Sequence, residues 1–319
     1  MTTTTLAAGS ARAAAAPGYG AGRRRRRART RERTAQWMFL VPAIAYVLVF
    51  FGYPIVKNLA MGSQDYTVRT FVSGEAPWVG LANYAEVVSS SLFRTTVLNT
   101  ALFTVGSILG QFVIGLLFAL FFKRRFPLGN VLRSLLLLPW LLPMIAGTAV
   151  WKWILDQDGG ILNEALGTIG IAPVHWLTSP DVALVAVIIV NVWIGIPFNM
   201  TLLYSGLQNI PDELYEAGAL DGATGARAFW HITWPNLRPV VSVVLVLGVI
   251  YTLKVLDIIL GLTGGGPANA TQTLATDSYR RSFQEFSFGT GAAVSNILIV
   301  VSLVFAVVYL RVNRRAVDE

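Results

Sequence analysis

Six stretches of the chain are long and apolar enough to cross a membrane as helices, and this pattern restricts the fold more than any other feature. A membrane-spanning helix needs about 20 mostly apolar residues. Only 13% of the residues are charged, whereas soluble domains carry about 25%, so lipid is the expected solvent. The predicted fold is all-α and polytopic, with six transmembrane helices. The six stretches are 37–57, 96–122, 131–155, 182–208, 239–262 and 291–311.

Small and helix-breaking residues interrupt several of these stretches. Pro139 and Pro143 are predicted to break the third span, and Pro197 lies inside the fourth. Membrane helices tolerate proline where neighbouring groups satisfy the freed backbone carbonyls. Gly106 and Gly110 in the second span are four residues apart. Small residues at that spacing predict close packing against another helix.

The distribution of positive charge predicts the orientation of the chain. Most of the 25 Lys and Arg residues fall in the N-terminal tail and in segments 123–133, 209–238 and 311–319. These four segments share one side of the membrane if the chain crosses it six times. Because Lys and Arg are enriched on the cytoplasmic side, both termini are predicted to be cytoplasmic.

The ends of the chain differ in composition from the apolar middle. Residues 1–35 are rich in Ala, Thr, Gly and Arg and are predicted to form a disordered cytoplasmic tail. Residues 36–95 are assigned to the first transmembrane helix and an extracytoplasmic loop, 96–311 to the core, and 312–319 to a cytoplasmic C-terminal tail. An arginine run can bind nucleic acid. Next to an apolar span it marks the cytoplasmic side instead, so no nucleic-acid partner is expected.

Several classes of chemistry are excluded by composition. The chain has no cysteine and only two histidines, so thiolate or histidine-rich metal sites and cysteine nucleophiles are not expected. It lacks the G-x-x-x-x-G-K-[ST] phosphate loop, and the glycine-rich run 264–267 contains no lysine. We expect no catalytic residue, metal or cofactor in this chain. Any ATP would be hydrolysed on a partner subunit.

The inner loop 209–238 is predicted to be a helical hairpin. Pro211 suits a first helical turn, and the pair Asp221-Gly222 is expected to end the first helix. A second short helix is predicted through Phe229, ended by Pro235 and Pro239 before the fifth span.

Two interpretations of this hairpin remain open on physical grounds. An amphipathic hairpin lying on lipid headgroups would carry bulky apolar residues on one face and lysines on the other. The loop is instead acidic and rich in small residues, which suits a helix enclosed by a protein groove. Glu216 and Asp221 would then fix its orientation. The small residues are Ala217, Gly218, Ala219, Gly222 and Ala223.

A family resemblance rests on the run Glu216-Ala217-Gly218, followed by Asp221-Gly222-Ala223, Phe229, Ile232 and Pro235. This run resembles the "EAA" loop of ABC-importer permeases, although Gly218 stands where a second alanine is usual. The resemblance implies a coupling helix that inserts into a cleft of an ATPase subunit. The residues assigned to ATPase coupling are Glu213, Glu216, Ala217, Gly218, Asp221, Gly222, Ala223, Arg227 and Pro235.

The resemblance extends over nearly the whole chain. The segments FLVPAIAYVLVFFGYPIVKNL, LLLLPWLLPMIAGTAVWKWILDQDGGILN and LTGGGPANATQTLATDSYRRSF look like the carbohydrate-uptake type of permease. It implies a type I ABC importer permease fold in a bacterial plasma membrane. It also implies a second permease, two ATPase copies, an external solute-binding protein and a sugar-like solute as partners.

Polar residues inside the spans are candidates for the substrate pathway. Lys254 and Asp257 are three residues apart in the fifth span and are predicted to share one helix face. They either bond solute hydroxyls or form only a salt bridge. Asn191, Trp193 and Asn199 invite the same question, because Asn can bond hydroxyls and Trp can stack on a sugar ring. The alternative is helix packing alone.

A different class of transporter provides the rival hypothesis. An ATP-independent secondary transporter or channel would need its own coupling-ion site, usually built from buried acids. Asp257 is the plausible intramembrane acid, and Lys254 can neutralise it. A membrane enzyme would need a nucleophile–base pair, which the sequence does not suggest. The identity of the solute is not encoded in any recognisable motif.

Overall fold

The computed structural model describes residues 37–38, 40–124 and 126–317. The predicted tail 1–35 therefore lies outside the described residues. Regular structure in the described part is helical, apart from two isolated β-bridges. The chain divides after Lys57 into two units, and the packing described below belongs to the second unit.

Fourteen helices are numbered here in chain order within the described residues. They are α1 Leu40–Met61, α2 Val68–Ser73, α3 Ala82–Ser89, α4 Ser91–Lys123, α5 Gly129–Leu136, α6 Leu138–Leu141, α7 Met144–Ile154, α8 Ile161–Thr168, α9 Pro180–Gln208, α10 Asp212–Leu220, α11 Ala226–Leu253, α12 Asp257–Leu262, α13 Leu274–Tyr279 and α14 Phe288–Val317.

Five helices of the described part are long and apolar enough to cross a membrane, namely α1, α4, α9, α11 and α14. A sixth crossing is present if the bent pair Gly129–Leu141 and Met144–Ile154 is one span. The two halves of that pair meet at 97°. The predicted break of the third span is confirmed, and Pro143 lies at the bend with an extended ψ of 130°. Proline lacks the amide hydrogen needed to continue the preceding helix.

The fifth span differs from its predicted bounds. The helix begins at Ala226 instead of 239 and ends at Leu253 instead of 262. Pro235 and Pro239 do not end a helix, because both lie inside α11. A π-helical turn, Phe229–Thr233, immediately precedes them, and the Trp234 N–H donates to the Phe229 carbonyl across it. Local π adjustments of this kind let a membrane helix continue past proline.

Helices α4 and α9 pack closely along three glycines of α4. A Cβ on Gly110 would lie 2.7 Å from Val192, and one on Gly115 would lie 2.8 Å from Asn199. A Cβ on Gly106 would lie 3.2 Å from Ile188. The contacts advance along both helices together, so the two helices run in the same direction. The predicted close packing at Gly106 and Gly110 is confirmed.

Two apolar clusters fill the second unit at different levels of α9. One surrounds Val187 and Val190 and includes Phe103 of α4 and Ile258 of α12. The other surrounds Leu203 and includes side chains of α4 and α11. The stretch of α9 between the clusters carries the polar residues considered next.

The end of the unit far from α10 is held by polar contacts. The Asn99 amide donates to the carbonyls of Asn269 and Gln272, at 3.2 and 3.0 Å. Asp277, almost fully buried, accepts from Arg280 at 2.7 Å and from Arg281 at 3.0 Å. The Asn99 bonds fix the 263–273 loop against α4, and the Leu274 N–H at the start of α13 donates to the Thr100 hydroxyl of α4 at 2.9 Å.

Candidate functional site: a polar cavity and the 209–238 loop

A cavity of about 430 Å³ lies between the two apolar clusters. Helices α4, α6, α7, α9, α11 and α12 all contribute to its wall. Its polar lining residues are Gln111, Asn191, Asn199, Tyr251, Thr252, Lys254 and Asp257, and its bulky apolar ones include Trp140, Met144 and Phe198.

The structure brings together four of the five residues predicted for the substrate pathway. Asn191, Asn199, Lys254 and Asp257 all line the cavity. Trp193 does not line it, because its ring packs edge-on against Trp151, with ring centroids 5.6 Å apart, beside the first apolar cluster. Trp193 therefore packs between helices, which is the alternative that the sequence left open.

Two amide side chains, those of Gln111 and Asn199, connect α4 to α9 in the cavity wall. The Gln111 amide donates to the backbone carbonyl of Asn191 at 3.0 Å. The Asn199 amide donates to the Gly195 carbonyl at 2.9 Å and to the Gln111 Oε1 at 3.4 Å. The Asn191 Nδ2 is buried and has no acceptor among the described residues. A buried amide donor without an acceptor costs about 1–3 kcal/mol, so a solute oxygen reaching it would be stabilised.

Aromatic side chains form a second face of the cavity that the sequence interpretation missed. The rings of Trp140 and Phe198 have centroids 6.0 Å apart, and Phe198 meets Tyr251 edge-on at 5.9 Å. The Lys254 Nζ lies 4.9 Å from the centroid of the Tyr251 ring. The sequence did contain one signal for this aromatic face. Trp140 adjoins a proline inside a broken span, and broken helices line binding sites in transporters.

Lys254 and Asp257 do not share a helix face, so that prediction is wrong. Lys254 caps the end of α11, whereas Asp257 begins α12. No ion pair joins them in the part of the chain that the structure describes. Residues 254–256 are non-helical and line the cavity. Non-helical backbone is tolerated at membrane depth where it faces a cavity. No glycine or proline in residues 254–256 signals this break in the sequence.

The first helix of the 209–238 loop follows its prediction. Helix α10 runs from Asp212 to Leu220, directly after Pro211. Gly222 has φ +77°, the left-handed conformation that favours glycine. The Ala223 N–H donates to the Gly218 carbonyl at 2.7 Å, and the Gly222 N–H donates to the Ala219 carbonyl at 3.1 Å. This pair of bonds is a Schellman motif, so the predicted break at 221–222 is confirmed.

The inner face of α10 contacts two long helices. The Tyr215 hydroxyl lies 3.0 Å from the Thr233 hydroxyl in the π turn of α11. The Lys123 Nζ, at the end of α4, lies 3.8 Å from the centroid of the Tyr215 ring. A Cβ on Gly218 would lie 2.5 Å from the Ile232 side chain. Glycine at 218 therefore lets α10 lie close to α11.

The outer face of α10 is open. Leu220 is 91% exposed and Leu214 is 42% exposed. Most of the residues assigned to coupling are exposed as well, and only two are half-buried. The exposed ones are Glu213, Glu216, Ala217, Asp221, Gly222, Arg227 and Pro235, and the half-buried ones are Gly218 and Ala223. Small, acidic and apolar groups thus share one accessible surface next to the connection between α9 and α11.

Comparison with known proteins identifies close relatives over most of the chain. It is 36% identical over 283 residues to the trehalose/maltose transport system permease protein MalF of Thermococcus litoralis, covering 89% of this chain and 95% of the relative. It is 32% identical over 285 residues to the diacetylchitobiose uptake system permease protein DasB of Streptomyces coelicolor, covering 87% and 86%.

A solved structure shares the fold. The chain matches a protein of the crystal structure of a bacterial ABC transporter involved in the import of the acidic polysaccharide alginate, with a TM-score of 0.78 and 23% identity. The match covers 91% of this chain and 99% of the other. The family model described as binding-protein-dependent transport system inner membrane component matches residues 111–318. The chain therefore belongs to the family of binding-protein-dependent transport system inner membrane components.

Proposed function

We propose that the chain is one of two permease subunits of a type I ABC importer and forms the pathway for a sugar or sugar-like solute with its partner permease. In this proposal it crosses a bacterial plasma membrane six times with both termini cytoplasmic. The chain itself is non-catalytic and needs no metal or cofactor, since ATP is hydrolysed on separate subunits. One observation carries the proposal: the 209–238 loop joins α9 to α11, and both helices line the cavity.

The loop gives the ATPase a mechanical connection to the cavity. Closure of the ATPase pair would move α10, which is attached to α11 through Tyr215 and Gly218 and to α4 through Lys123. Because α4, α9 and α11 all line the cavity, a rigid displacement of α10 changes the cavity wall. Rigid-body movement of packed helices is an established form of switching.

The cavity chemistry suits a hydroxylated ring. Trp140, Phe198 and Tyr251 offer apolar faces, and Asn191 and Asn199 offer amide groups. Lys254 and Asp257 add a donor and an acceptor at the break between α11 and α12. A volume of about 430 Å³ is within the range of small-molecule sites, about 300–1,000 Å³. Relatives named for trehalose/maltose and diacetylchitobiose support a carbohydrate.

The partners follow from the same reasoning. We propose an external solute-binding protein that delivers the solute, a second permease that completes the pathway, and two ATPase copies that receive α10 and its counterpart. One structure similar to this chain is that of a bacterial alginate ABC transporter in complex with an alginate pentasaccharide-bound periplasmic protein. Lipid is the solvent of the spans, and no nucleic acid is involved.

Purification from the native membrane tests the proposal directly. The chain is tagged, its stable partners are identified, and the purified assembly is reconstituted into liposomes with the ATPase sites inside. Uptake of a sugar panel is then measured with and without internal ATP. Uptake that requires both ATP and the solute-binding protein supports the proposal. Uptake that persists in membranes stripped of any ATPase supports the ATP-independent transporter or channel instead.

A further inference from the structure

A second cavity, outside the proposed solute pathway, lies at the end of α4 next to α10. Its volume is about 630 Å³, and it is lined by residues of α4, α5 and α9 and by Asp212 of α10. Three cations line it, Lys123, Arg124 and Arg133. In the described part of the chain none of the three forms an ion pair.

Two of these cations are held in place by aromatic rings. The Lys123 Nζ lies 3.8 Å from the centroid of the Tyr215 ring. The Arg133 guanidinium lies 4.4 Å from the centroid of the Tyr204 ring and also donates to the Asn130 side-chain oxygen. Cation–π contacts of this kind position a guanidinium or ammonium without neutralising its charge. With three cations against the one carboxylate of Asp212 in its lining, the cavity therefore presents an excess of positive charge that an anion can neutralise.

An apolar groove continues from this cavity along α9. A third cavity of about 340 Å³ shares Asn130, Arg133 and Tyr204 with the basic one. It extends toward Leu137 of the α5–α6 junction and Met200 of α9. Met200 lies on the same helix as Tyr204 and closer to the middle of that span. A cationic cavity thus adjoins a more apolar one whose lining continues toward the middle of α9.

We propose that these two connected cavities bind one anionic phospholipid. The headgroup phosphate lies among Lys123, Arg124 and Arg133, and the first part of an acyl chain lies against Leu137 and Met200. Arg and Lys bind phosphate oxygens by charge-assisted hydrogen bonds. Basic cavities between membrane helices at the cytoplasmic face bind lipid headgroups. A free phosphate ion would use the basic cavity but gain nothing from the apolar groove.

The position of the site gives the lipid a role beyond solvation. Lys123 contacts both the cavity and Tyr215 of α10. A bound phosphate would add a second contact to the Lys123 side chain, which Tyr215 already holds, and would so strengthen the connection between α4 and α10. Anionic lipid would therefore stabilise the position of the loop that faces the ATPase.

The test uses the whole purified importer in nanodiscs of phosphatidylcholine mixed with a minor fraction of phosphatidylglycerol. Bound phosphatidylglycerol is counted by native mass spectrometry. Three variants are compared: Arg124→Gln combined with Arg133→Gln, Ser134→Trp, which fills the apolar groove, and Arg238→Gln. The last removes one exposed cation of α11 outside both cavities and serves as the matched control. A parallel series in pure phosphatidylcholine receives inorganic phosphate.

The expected result is a selective loss of bound lipid. Each basic residue near an anionic surface contributes about fivefold in affinity, so the double variant should retain phosphatidylglycerol roughly 25-fold more weakly. Ser134→Trp should also weaken retention, although all cations remain, and Arg238→Gln should match the unmodified chain. If the double variant does not assemble, Ser134→Trp decides the question alone.

Three outcomes overturn the proposal. Equal retention by all variants means that the cavities hold no specific lipid. Binding of inorganic phosphate in the phosphatidylcholine series, together with unchanged retention of phosphatidylglycerol by Ser134→Trp, means that the basic cavity is a site for a free anion. Loss of a partner subunit from the double variant, with no lipid bound in the unmodified importer, means that the basic cavity is a protein contact.

Discussion

The left-handed conformation of Gly222 should make the proposed ATPase-coupling surface sensitive to a single methyl group. At φ +77° an L-residue meets its own backbone, which costs about 1–2 kcal/mol. Apart from the two neighbouring residues, no atom of the described part of the chain lies within 4 Å of a Cβ at this position. The effect of Gly222→Ala is therefore conformational and not steric. Because α10 and the residues after it form one exposed surface, disruption of its Schellman motif should lower affinity for the ATPase.

The expected change can be worked from that cost. A penalty of about 1–2 kcal/mol corresponds to roughly 5–30-fold weaker binding, at 1.4 kcal/mol per factor of ten. Gly222→Asn should bind nearly as well as glycine, because Asn tolerates the left-handed region. Gly222→Trp carries the same backbone cost, so any larger loss measures contact with the partner. We expect Gly222→Trp to abolish ATPase association, and a loss that complete requires such contact.

Binding of the purified ATPase to the permease pair in nanodiscs, followed by titration, measures these differences. Insertion and thermal stability of each variant permease are checked in the same preparation. Equal affinities for the Ala and Asn variants, both well below that of glycine, would refute the conformational argument. Affinities unchanged in all three variants would remove Gly222 from the coupling surface.

Three further predictions concern the cavity, the helix packing and the loop. Asp257→Ala should raise the solute concentration for half-maximal uptake about tenfold or more, since a hydrogen bond to a charged group contributes about 1.5–3 kcal/mol, and assembly should be unaffected. The control is Asp181→Ala, in the exposed first turn of α9. An equal effect of both variants would contradict a contact between Asp257 and the solute. Gly115→Ala should destabilise the chain by about 1–3 kcal/mol, because its Cβ would press on the α9 backbone at 3.1 Å. Thermal unfolding of Gly167→Ala should show no loss of stability, because among the described residues only its own helix and chain neighbours lie within 4 Å of a Cβ there. Tyr215→Phe removes a 3.0 Å hydroxyl contact with α11 worth about 0.5–1.5 kcal/mol, so solute taken up per ATP hydrolysed should fall while ATPase binding persists, and an unchanged ratio would argue against this connection.

Sequence patterns predicted the parts of the fold that depend on local chemistry. Apolar length identifies the spans, and proline and glycine mark the bend at Pro143 and the end of α10 at 221–222. The spacing of Gly106 and Gly110 predicted close packing of α4 against another helix, because such packing needs only the absence of side chains at those positions. These features follow from the size or backbone conformation of single residues, which the sequence states directly.

The features that escaped prediction depend on distant contacts. The break after Leu253 has no glycine or proline, and it exists where α11 meets a cavity built by five other elements. Periodicity therefore assigned Lys254 and Asp257 to one helix. The continuation of α11 through Pro235 depends on a π turn, which no composition rule reveals. Trp193 and Phe198 are both aromatic residues of α9, and only the neighbouring helices decide which one reaches the cavity.

The glycine contacts between α4 and α9 reduce the number of independently moving parts. The two helices are parallel, pack together at three glycines of α4 and are bridged by the Gln111 amide, so they cannot slide past one another without losing all of these contacts at once. We therefore expect α4 and α9 to move as one rigid unit, whereas residues 254–256 interrupt the fifth span with a non-helical joint. Bending during transport should therefore concentrate at that joint, and a cross-link between α4 and α9 should be tolerated where one across 254–256 would stop the cycle.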